Sequence, residues 1–166
     1  MPQIKAVVFD MDGVLIDAKE WHYEAFNLAI EKFGYSISRY DHITTFDGIP
    51  TKKKLAILTA ERGLPAELHG PIEELKQQYT LEMAEKYCRP RADHRTLLSR
   101  LKAEGYLVGL ASNSVRVTID RLMELAGLQQ YLDFSLSNQD VSRPKPDPEI
   151  YQTALNMAGV LAQECV

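Results

Sequence analysis

The sequence has too little cysteine to build a disulfide framework or a zinc site. Its only two cysteines, Cys88 and Cys165, lie far apart, with no CxxC pair and no histidine cluster beside them. This spacing excludes the disulfide-rich scaffolds and zinc modules that depend on closely spaced cysteines. Reduced, unpaired thiols are typical of the cytosol, and we therefore expect a cytoplasmic protein.

Positive charge and long apolar runs are also scarce. The 166 residues carry 19 Lys and Arg against 23 Asp and Glu, which gives a net charge of -4. Without a basic field, neither nucleic acid nor an anionic membrane is an expected partner. No apolar stretch reaches transmembrane length, and residues 1–5 show no signal-peptide pattern. A phosphate-bearing ligand would therefore have to be captured by local groups.

The order of strand-like and helix-like segments predicts an α/β fold. A stretch of helices follows the first strand, and from residue 91 onward helices and strands alternate, which is typical of parallel strands joined by crossover helices. We predict a doubly wound parallel sheet in a core domain of residues 1–17 and 88–166, with an inserted α-helical cap domain at residues 18–87. The predicted strands are 6–9, 106–111 and 131–136, and the predicted helices are 18–33, 51–62, one opened by Pro71, 92–104, 115–125 and 149–157.

Two carboxylates follow the first strand directly. Asp10 and Asp12 come straight after the apolar run at residues 6–9, and this end of a parallel strand is where open α/β sheets bind ligands. Like charges so close raise each other's cost of ionisation unless a cation or a reacting electrophile lies between them. Chemistry therefore explains the pair better than packing does.

Three segments together resemble a known family. They are DMDGV at residues 10–14, the strand LVGLA at residues 107–111 followed by Ser112 and Asn113, and RPKPDP at residues 143–148. In this order they resemble the first three motifs of the haloacid dehalogenase superfamily of phosphoryl-transfer enzymes. The resemblance implies a Rossmann-like core and a helical cap of the phosphoglucomutase-like, sugar-phosphate phosphatase type.

The resemblance also implies a role for each polar residue of these motifs. Asp10 would be the nucleophile that forms an aspartyl phosphate, and Asp12 would be the general acid and base. Lys145 would offset the negative charge of the transferring group, while Ser112 and Asn113 would bind phosphate. Simpler interpretations stay open: Asp12 as a turn former, Ser112 or Asn113 as an N-cap, and Lys145 as a solvated turn residue.

Magnesium is the cofactor that the resemblance implies. Asp10 and the backbone carbonyl of Asp12 would be ligands, together with water and substrate phosphate. The family's fourth motif, an acidic pair that supplies a third protein ligand, has no counterpart before Val166. We therefore expect the C-terminal strands of the family fold to be missing. Their absence would weaken metal binding and leave a sheet edge beside Asp10 open to self-association.

The predicted cap contains weaker candidates for substrate binding. They are His22, where related sugar-phosphate mutases carry a histidine, and Gly48 and Thr51, which frame a loop at a helix start. A lone histidine on an amphipathic helix is more often a packing residue. The mutases' basic cap positions correspond to Asp47 and Thr51 here, which weakens the mutase interpretation. The lysine run at residues 52–54 is interpreted as a solvated helix face.

The sequence thus predicts a Mg²⁺-dependent phosphatase that acts on a small phosphorylated metabolite, a sugar phosphate, through an aspartyl-phosphate intermediate. Asp12 favours phosphate esters, because relatives that cleave carbon–halogen or carbon–phosphorus bonds lack this second carboxylate. Two alternatives stay open: a β-phosphoglucomutase-like mutase and a non-catalytic phosphate-binding fragment. Without the acidic motif, the 166-residue chain is expected to be impaired.

Overall fold

The computed structural model describes residues 3–166, which form two compact units. The first, here called the core unit, consists of residues 3–17 and Tyr87–Val166. The second, here called the helical unit, consists of Ala18–Lys86. Among the described residues, no helix is both long and apolar enough to cross a membrane.

The core unit contains a three-stranded sheet in which every strand pair is parallel. Its strands are β1 (Ala6–Phe9), β2 (Leu107–Ala111) and β3 (Phe134–Leu136), in the order β1-β2-β3. Three helices, whose ranges are given below, belong to this unit. Ile150 and Ala154 of the last of them cluster with Ala111 of β2 and Leu136 of β3. The predicted α/β class with a parallel sheet is confirmed.

Seven helices are present among residues 3–166. They are α1 (Lys19–Glu31), α2 (Arg39–Asp41), α3 (Thr51–Arg62), α4 (His69–Tyr87), α5 (Ala92–Ala103), α6 (Arg116–Leu125) and α7 (Glu149–Ala158). A short π-helical stretch at His42–Phe46 follows α2, and three 3₁₀ turns lie at Ala66–Leu68, Gln129–Tyr131 and Ala162–Glu164. The apolar faces of α1, α3 and α4 meet in one cluster that includes Phe26, Leu55, Leu58 and Ile72.

Two local features differ from the sequence prediction. The third strand begins at Phe134 rather than residue 131, because Gln129–Tyr131 turns on itself and Leu132 donates its N–H to the Gln129 carbonyl (3.2 Å). Pro71 is the third residue of α4 rather than its first, which is tolerated because N–H groups of a first turn have no helical acceptor.

The last residues of the chain lie along the outer edge of β1. The N–H groups of Lys5 and Val8 donate to the carbonyls of Glu164 (2.7 Å) and Val166 (2.8 Å), and the N–H of Val166 donates to the Ala6 carbonyl (3.1 Å). These bonds form a parallel bridge between Ala6 and Cys165. The β1 edge that was expected to be open is therefore paired along this stretch, and self-association through it stays a prediction.

The close packing of β2 on β3 leads to a stability prediction. Gly109 lies opposite Phe134, and a Cβ on Gly109 would lie 2.3 Å from ring atom Cζ. Because the ring would have to move within a packed sheet, we expect Gly109→Ala to lower the free energy of unfolding by about 1–3 kcal/mol. Urea unfolding followed by circular dichroism measures the change.

Gly70→Ala is the matched control for that substitution. Gly70 lies in the first turn of α4, and no heavy atom lies within 4 Å of the added Cβ. Since alanine favours a helix more than glycine does, by up to ~1 kcal/mol, this variant should be neutral or mildly stabilised. An unchanged unfolding midpoint for Gly109→Ala would show that the Phe134 ring moves aside without cost.

Candidate active site

The candidate site lies at the carboxyl ends of β1 and β2 in the core unit, in the residues that directly follow these strands. Asp10 directly follows β1, and its Oδ1 accepts hydrogen bonds from the N–H of Met11 (2.7 Å) and from Nζ of Lys145 (2.9 Å). The Asp10 side chain is 42% exposed, whereas that of Lys145 is only 15% exposed. The pair therefore combines a reachable carboxylate with a largely enclosed ammonium group.

A tight turn after β1 sets the position of Asp12. The Met11 carbonyl accepts from the N–H groups of Leu15 (3.0 Å) and Ile16 (2.9 Å), and Gly13 closes the turn by donating to the Ile16 carbonyl (2.8 Å). Gly13 has φ +79°, a conformation that glycine adopts without strain. Asp12 is thus part of a turn, and its Oδ2 accepts a hydrogen bond from Ser114 Oγ (3.3 Å).

Ser112 follows β2 and is fully buried. Its N–H donates to the Leu136 carbonyl (2.9 Å), and its Oγ accepts from the Ser114 N–H (3.0 Å). Because a hydroxyl that accepts one bond can still donate its proton, Ser112 keeps a donor for a phosphate oxygen. Neither Ser112 nor Asn113 is the N-cap of α6; that residue is Val115, so the capping interpretation was wrong.

Lys145 is held at both its backbone and its side chain. Its N–H donates to Asn113 Oδ1 (2.9 Å), and Asn113 Nδ2 donates to its carbonyl (3.1 Å). Its Nζ also donates to the Ala111 carbonyl (2.8 Å) and lies 5.4 Å from the centre of the Tyr151 ring. The solvated-turn interpretation of Lys145 was therefore wrong, since its ammonium group has three neighbours inside the site.

The loop that carries Lys145 is closed by acidic side chains. Glu149 accepts from the N–H groups of Ser142 (2.8 Å) and Arg143 (3.0 Å), and the bond from Ser142 is the chief cause that lowers the pKa of Glu149. Asp147 Oδ1 accepts from the Glu149 N–H (3.0 Å) at the start of α7. The Arg143 side chain is 72% exposed and pairs with Asp147 (3.1 Å) rather than with Asp10.

A second network fixes the end of β3. Arg116 donates to Oγ of Ser135 (2.6 Å), the carbonyl of Ser135 (2.9 Å) and Oδ2 of Asp140 (2.6 Å). Partial burial raises the pKa of Asp140, but hydrogen bonds from Ser137 and the charge of Arg116 outweigh it and hold the pKa below its ordinary value. This network favours the ionised form of Asp140 and ties the loop after β3 to Arg116 at the start of α6.

Sequence reasoning did not single out Ser114 or Tyr151. Ser114 contacts Asp12, and the Tyr151 ring flanks Lys145. Ser114 could have been noticed because it extends the polar run that begins at Ser112. Nothing local marks Tyr151, since its proximity to Lys145 arises only when α7 packs on the sheet.

The carboxylates of Asp10 and Asp12 could supply part of a Mg²⁺ coordination shell. Among residues 3–166, no group of three or more His, Cys, Asp or Glu side chains could hold a metal ion. The donors present are oxygens of Asp10 and Asp12, and Mg²⁺ often binds through one or two carboxylates while water and substrate phosphate complete its octahedron. The oxygen donors therefore fit Mg²⁺ as a site completed by non-protein ligands.

The candidate substrate residues of the cap lie in the helical unit. His22 is half-buried on α1, Gly48 is exposed with φ +72°, and Thr51 is the first residue of α3. One prediction nearby was wrong: Lys54 is 6% exposed and its Nζ lies 5.5 Å from the centre of the Phe26 ring, so the lysine run is not a uniformly solvated face. Its methylenes pack on the apolar cluster of this unit.

Asp47 is engaged within the same unit. Its Oδ2 pairs with Lys19 Nζ (2.7 Å), and its Oδ1 lies 3.8 Å from Nε2 of the buried His42. Burial is the chief cause that lowers the pKa of His42, so the neutral imidazole is favoured there. Asp47, which the resemblance equates with a basic position of the mutases, is thus a carboxylate already paired with a lysine.

Comparison with known proteins identifies the lineage. The sequence profile described as haloacid dehalogenase-like hydrolase matches residues 7–166. The chain is 25% identical over 167 residues to the pyrophosphatase PpaX of Bacillus velezensis, a match that covers 99% of this chain and 73% of that protein. It is 28% identical over 167 residues to the phosphorylated carbohydrates phosphatase of Thermotoga maritima, covering 98% of this chain and 74% of that protein.

A solved structure gives the same answer for the fold. The β-phosphoglucomutase of Clostridium difficile superposes with a TM-score of 0.83 at 24% identity, covering 98% of this chain and 74% of that one. The predicted resemblance is confirmed, and the chain is a hydrolase by ancestry. With a profile match across nearly all of its length, the chain belongs to the haloacid dehalogenase-like hydrolase family.

Proposed function

We propose that this protein is a Mg²⁺-dependent phosphatase of a small phosphorylated metabolite, acting through an aspartyl phosphate on Asp10. The observation that carries the proposal is the contact between Asp10 Oδ1 and Lys145 Nζ at 2.9 Å, with Lys145 largely enclosed and Asp10 partly exposed. An ammonium group fixed beside a carboxylate stabilises the negative charge that gathers when the carboxylate meets a phosphate.

In the first half-reaction, Asp10 is the nucleophile. Because Oδ1 is held by Met11 and Lys145, the second carboxylate oxygen forms the new bond to phosphorus while the bond to the leaving oxygen breaks. Asp12, held by its turn and by Ser114, donates a proton to that leaving oxygen. The dephosphorylated alcohol departs and Asp10 carries the phosphoryl group.

In the second half-reaction, water replaces the alcohol. Asp12, now ionised, takes a proton from the attacking water, whose oxygen bonds to phosphorus as the bond to Asp10 breaks. Lys145 stays beside Asp10 throughout, and the Ser112 hydroxyl donates to a phosphate oxygen. A bound Mg²⁺ supplies charge neutralisation between the carboxylates and the phosphate.

A sugar phosphate is the proposed substrate class. The support is the relative from Thermotoga maritima that is named a phosphorylated carbohydrates phosphatase, at 28% identity across 98% of this chain. His22, Gly48 and Thr51 stay predictions for substrate binding, as does the cytoplasmic location. Asp47, paired with Lys19, lies where the resemblance places a basic residue of the mutases. This favours transfer of the phosphoryl group to water over its transfer to a second sugar hydroxyl.

The proposal is tested by phosphate release from p-nitrophenyl phosphate and from glucose, fructose and ribose phosphates. We expect Mg²⁺-dependent release that EDTA abolishes and excess Mg²⁺ restores, because the single charge of Lys145 does not offset the repulsion between two carboxylates and a phosphate dianion. Apparent Mg²⁺ affinity should be weak, since the described residues offer no third carboxylate at the site.

The same assay separates the alternatives. Release that is unaffected by EDTA would contradict the metal-dependent mechanism. Conversion of glucose 1-phosphate to glucose 6-phosphate without net phosphate release would identify a mutase. Inorganic phosphate binding without turnover of any ester, measured by calorimetry, would identify a non-catalytic phosphate-binding protein.

A further inference from the structure

The side chain of Asn113 makes two hydrogen bonds, and both go to the backbone of Lys145. Asn113 Oδ1 accepts from the Lys145 N–H (2.9 Å), and Asn113 Nδ2 donates to the Lys145 carbonyl (3.1 Å). The two residues are 32 positions apart in the chain. A carboxamide that pairs with the N–H and the C=O of one residue fixes both the place and the rotation of that residue.

The sequence around Lys145 leaves this segment few backbone hydrogen bonds with which to hold its position. Pro144 and Pro146 flank the lysine, and proline has no N–H. The Lys145 N–H is therefore the single backbone donor of this three-residue segment. If Asn113 did not accept this bond, residues 144–146 would have no other backbone N–H that could bond to the residues after β2.

The opposite end of Lys145 is tied to the same stretch of chain. Its Nζ donates to the carbonyl of Ala111, two residues before Asn113, and to Oδ1 of Asp10. A lysine side chain has a long flexible stem and loses considerable rotamer freedom when it is fixed. Because Asn113 holds its backbone and Ala111 holds its ammonium group, the Lys145 side chain has few rotamers open to it, and the one observed reaches Asp10.

We infer that Asn113 is a positioning residue that acts on phosphoryl transfer through Lys145, and not a ligand of the phosphate. The expected effect on catalysis rests on the proposed function. The positioning of Lys145 by Asn113 does not depend on it. It differs from the phosphate-binding role that the sequence predicted for Asn113. Oδ1 cannot donate to a phosphate oxygen, and one of the two N–H groups of Nδ2 is used by the Lys145 carbonyl, so both side-chain contacts that the structure shows go to Lys145.

The kinetic test is a double-mutant cycle with Asn113→Ala and Lys145→Ala. Asn113→Ala should lower kcat by about 10²-fold, the loss that a displacement of about 1 Å brings, with little change in KM. In the Lys145→Ala background, the same substitution should change kcat less than about twofold, because its effect passes through the missing ammonium group. Multiplicative losses would show that Asn113 contacts the phosphate independently.

Two further variants keep this test decisive. Asn113→Asp retains an acceptor for the Lys145 N–H but sets an oxygen against the Lys145 carbonyl, so it should lose activity while it stays folded by circular dichroism. Asn156→Ala is the matched control, since Asn156 is exposed on α7, and its kcat should equal that of the unaltered protein. A fully active Asn113→Asp protein would overturn the inference.

A crystal structure of Asn113→Ala separates this inference from the proposed function. We expect the distance between Lys145 Nζ and Asp10 Oδ1 to lengthen from 2.9 Å beyond hydrogen-bond range. If the unaltered protein releases no phosphate but this contact is lost in the variant, the proposed function fails and the positioning role stands. An unchanged contact would overturn the positioning role whatever the activity.

Discussion

Replacing Asp10 with asparagine is expected to abolish phosphate release from every ester that the unaltered protein hydrolyses. An amide oxygen is too weak a nucleophile to form the covalent intermediate, and removal of a nucleophile costs about 10⁴-fold or more in kcat. The fold should persist, because the amide oxygen of asparagine still accepts from the Met11 N–H and from Lys145 Nζ. Initial rates with Mg²⁺ and the urea midpoint of both proteins measure the two effects.

The control for that variant is Glu124→Gln, the same loss of a carboxylate on the exposed part of α6. Glu124 pairs with Arg121 at the surface (2.5 Å), and exposed ion pairs contribute little. Its rate and midpoint should match those of the unaltered protein. Substantial turnover by Asp10→Asn, alongside an active control, would rule out an aspartyl phosphate on Asp10.

Lys145→Ala is expected to lower kcat by about 10²- to 10³-fold, the usual effect of removing a donor that stabilises transition-state charge. The Lys145 ammonium group touches Asp10 directly and is enclosed by Ala111 and Tyr151. Without it, the charge that develops on Asp10 and the phosphoryl group has no fixed cation from this loop. Steady-state kinetics at saturating Mg²⁺ measure the loss.

Lys53→Ala is the matched control for Lys145→Ala, because Lys53 is exposed on α3 of the helical unit. Its rate should be unchanged. Lys54 is unsuitable for this purpose, since it is buried against Phe26 and its loss would also disturb packing. Comparable losses from Lys145→Ala and Lys53→Ala would mean that the lysine run at residues 52–54 also takes part in the reaction. The interpretation of Lys145 as the one catalytic lysine of the two would then be wrong.

Elements that carry a strong local signal were predicted closely. Residues 6–9 form β1 and residues 51–62 form α3, because a short apolar run and a helix ended by Gly63 are each specified by their own residues. The π-helical stretch at His42–Phe46 was not predicted, since the sequence there has no clear period. The burial of Lys54 likewise depends on Phe26, which lies far from it in sequence.

The residue types of the candidate site were predicted from the sequence, whereas the hydrogen bonds between them were not. Motif order brought Asp10, Asp12 and Lys145 together as candidates, and the structure places Lys145 on Asp10. The partners of the supporting residues could not be predicted, because a carboxamide such as Asn113 can cap a helix, bind an anion or hold a loop. Which of these it does is decided by where residues 144–146 lie after folding.

The parallel order of the sheet constrains when the site can assemble during synthesis. The first strand leaves the ribosome early, but its ladder partner begins at Leu107, and Val166 follows later still along its other edge. The strand β1, which ends just before Asp10, therefore cannot pair with β2 until residues 107–110 have been made. Residues 18–86, in contrast, form a unit that is contiguous in sequence, so the contacts within it can form before residues 107–111 are made. Asp10 is thus translated well before the strand that holds β1 in place, and its position is fixed only after that strand has been made.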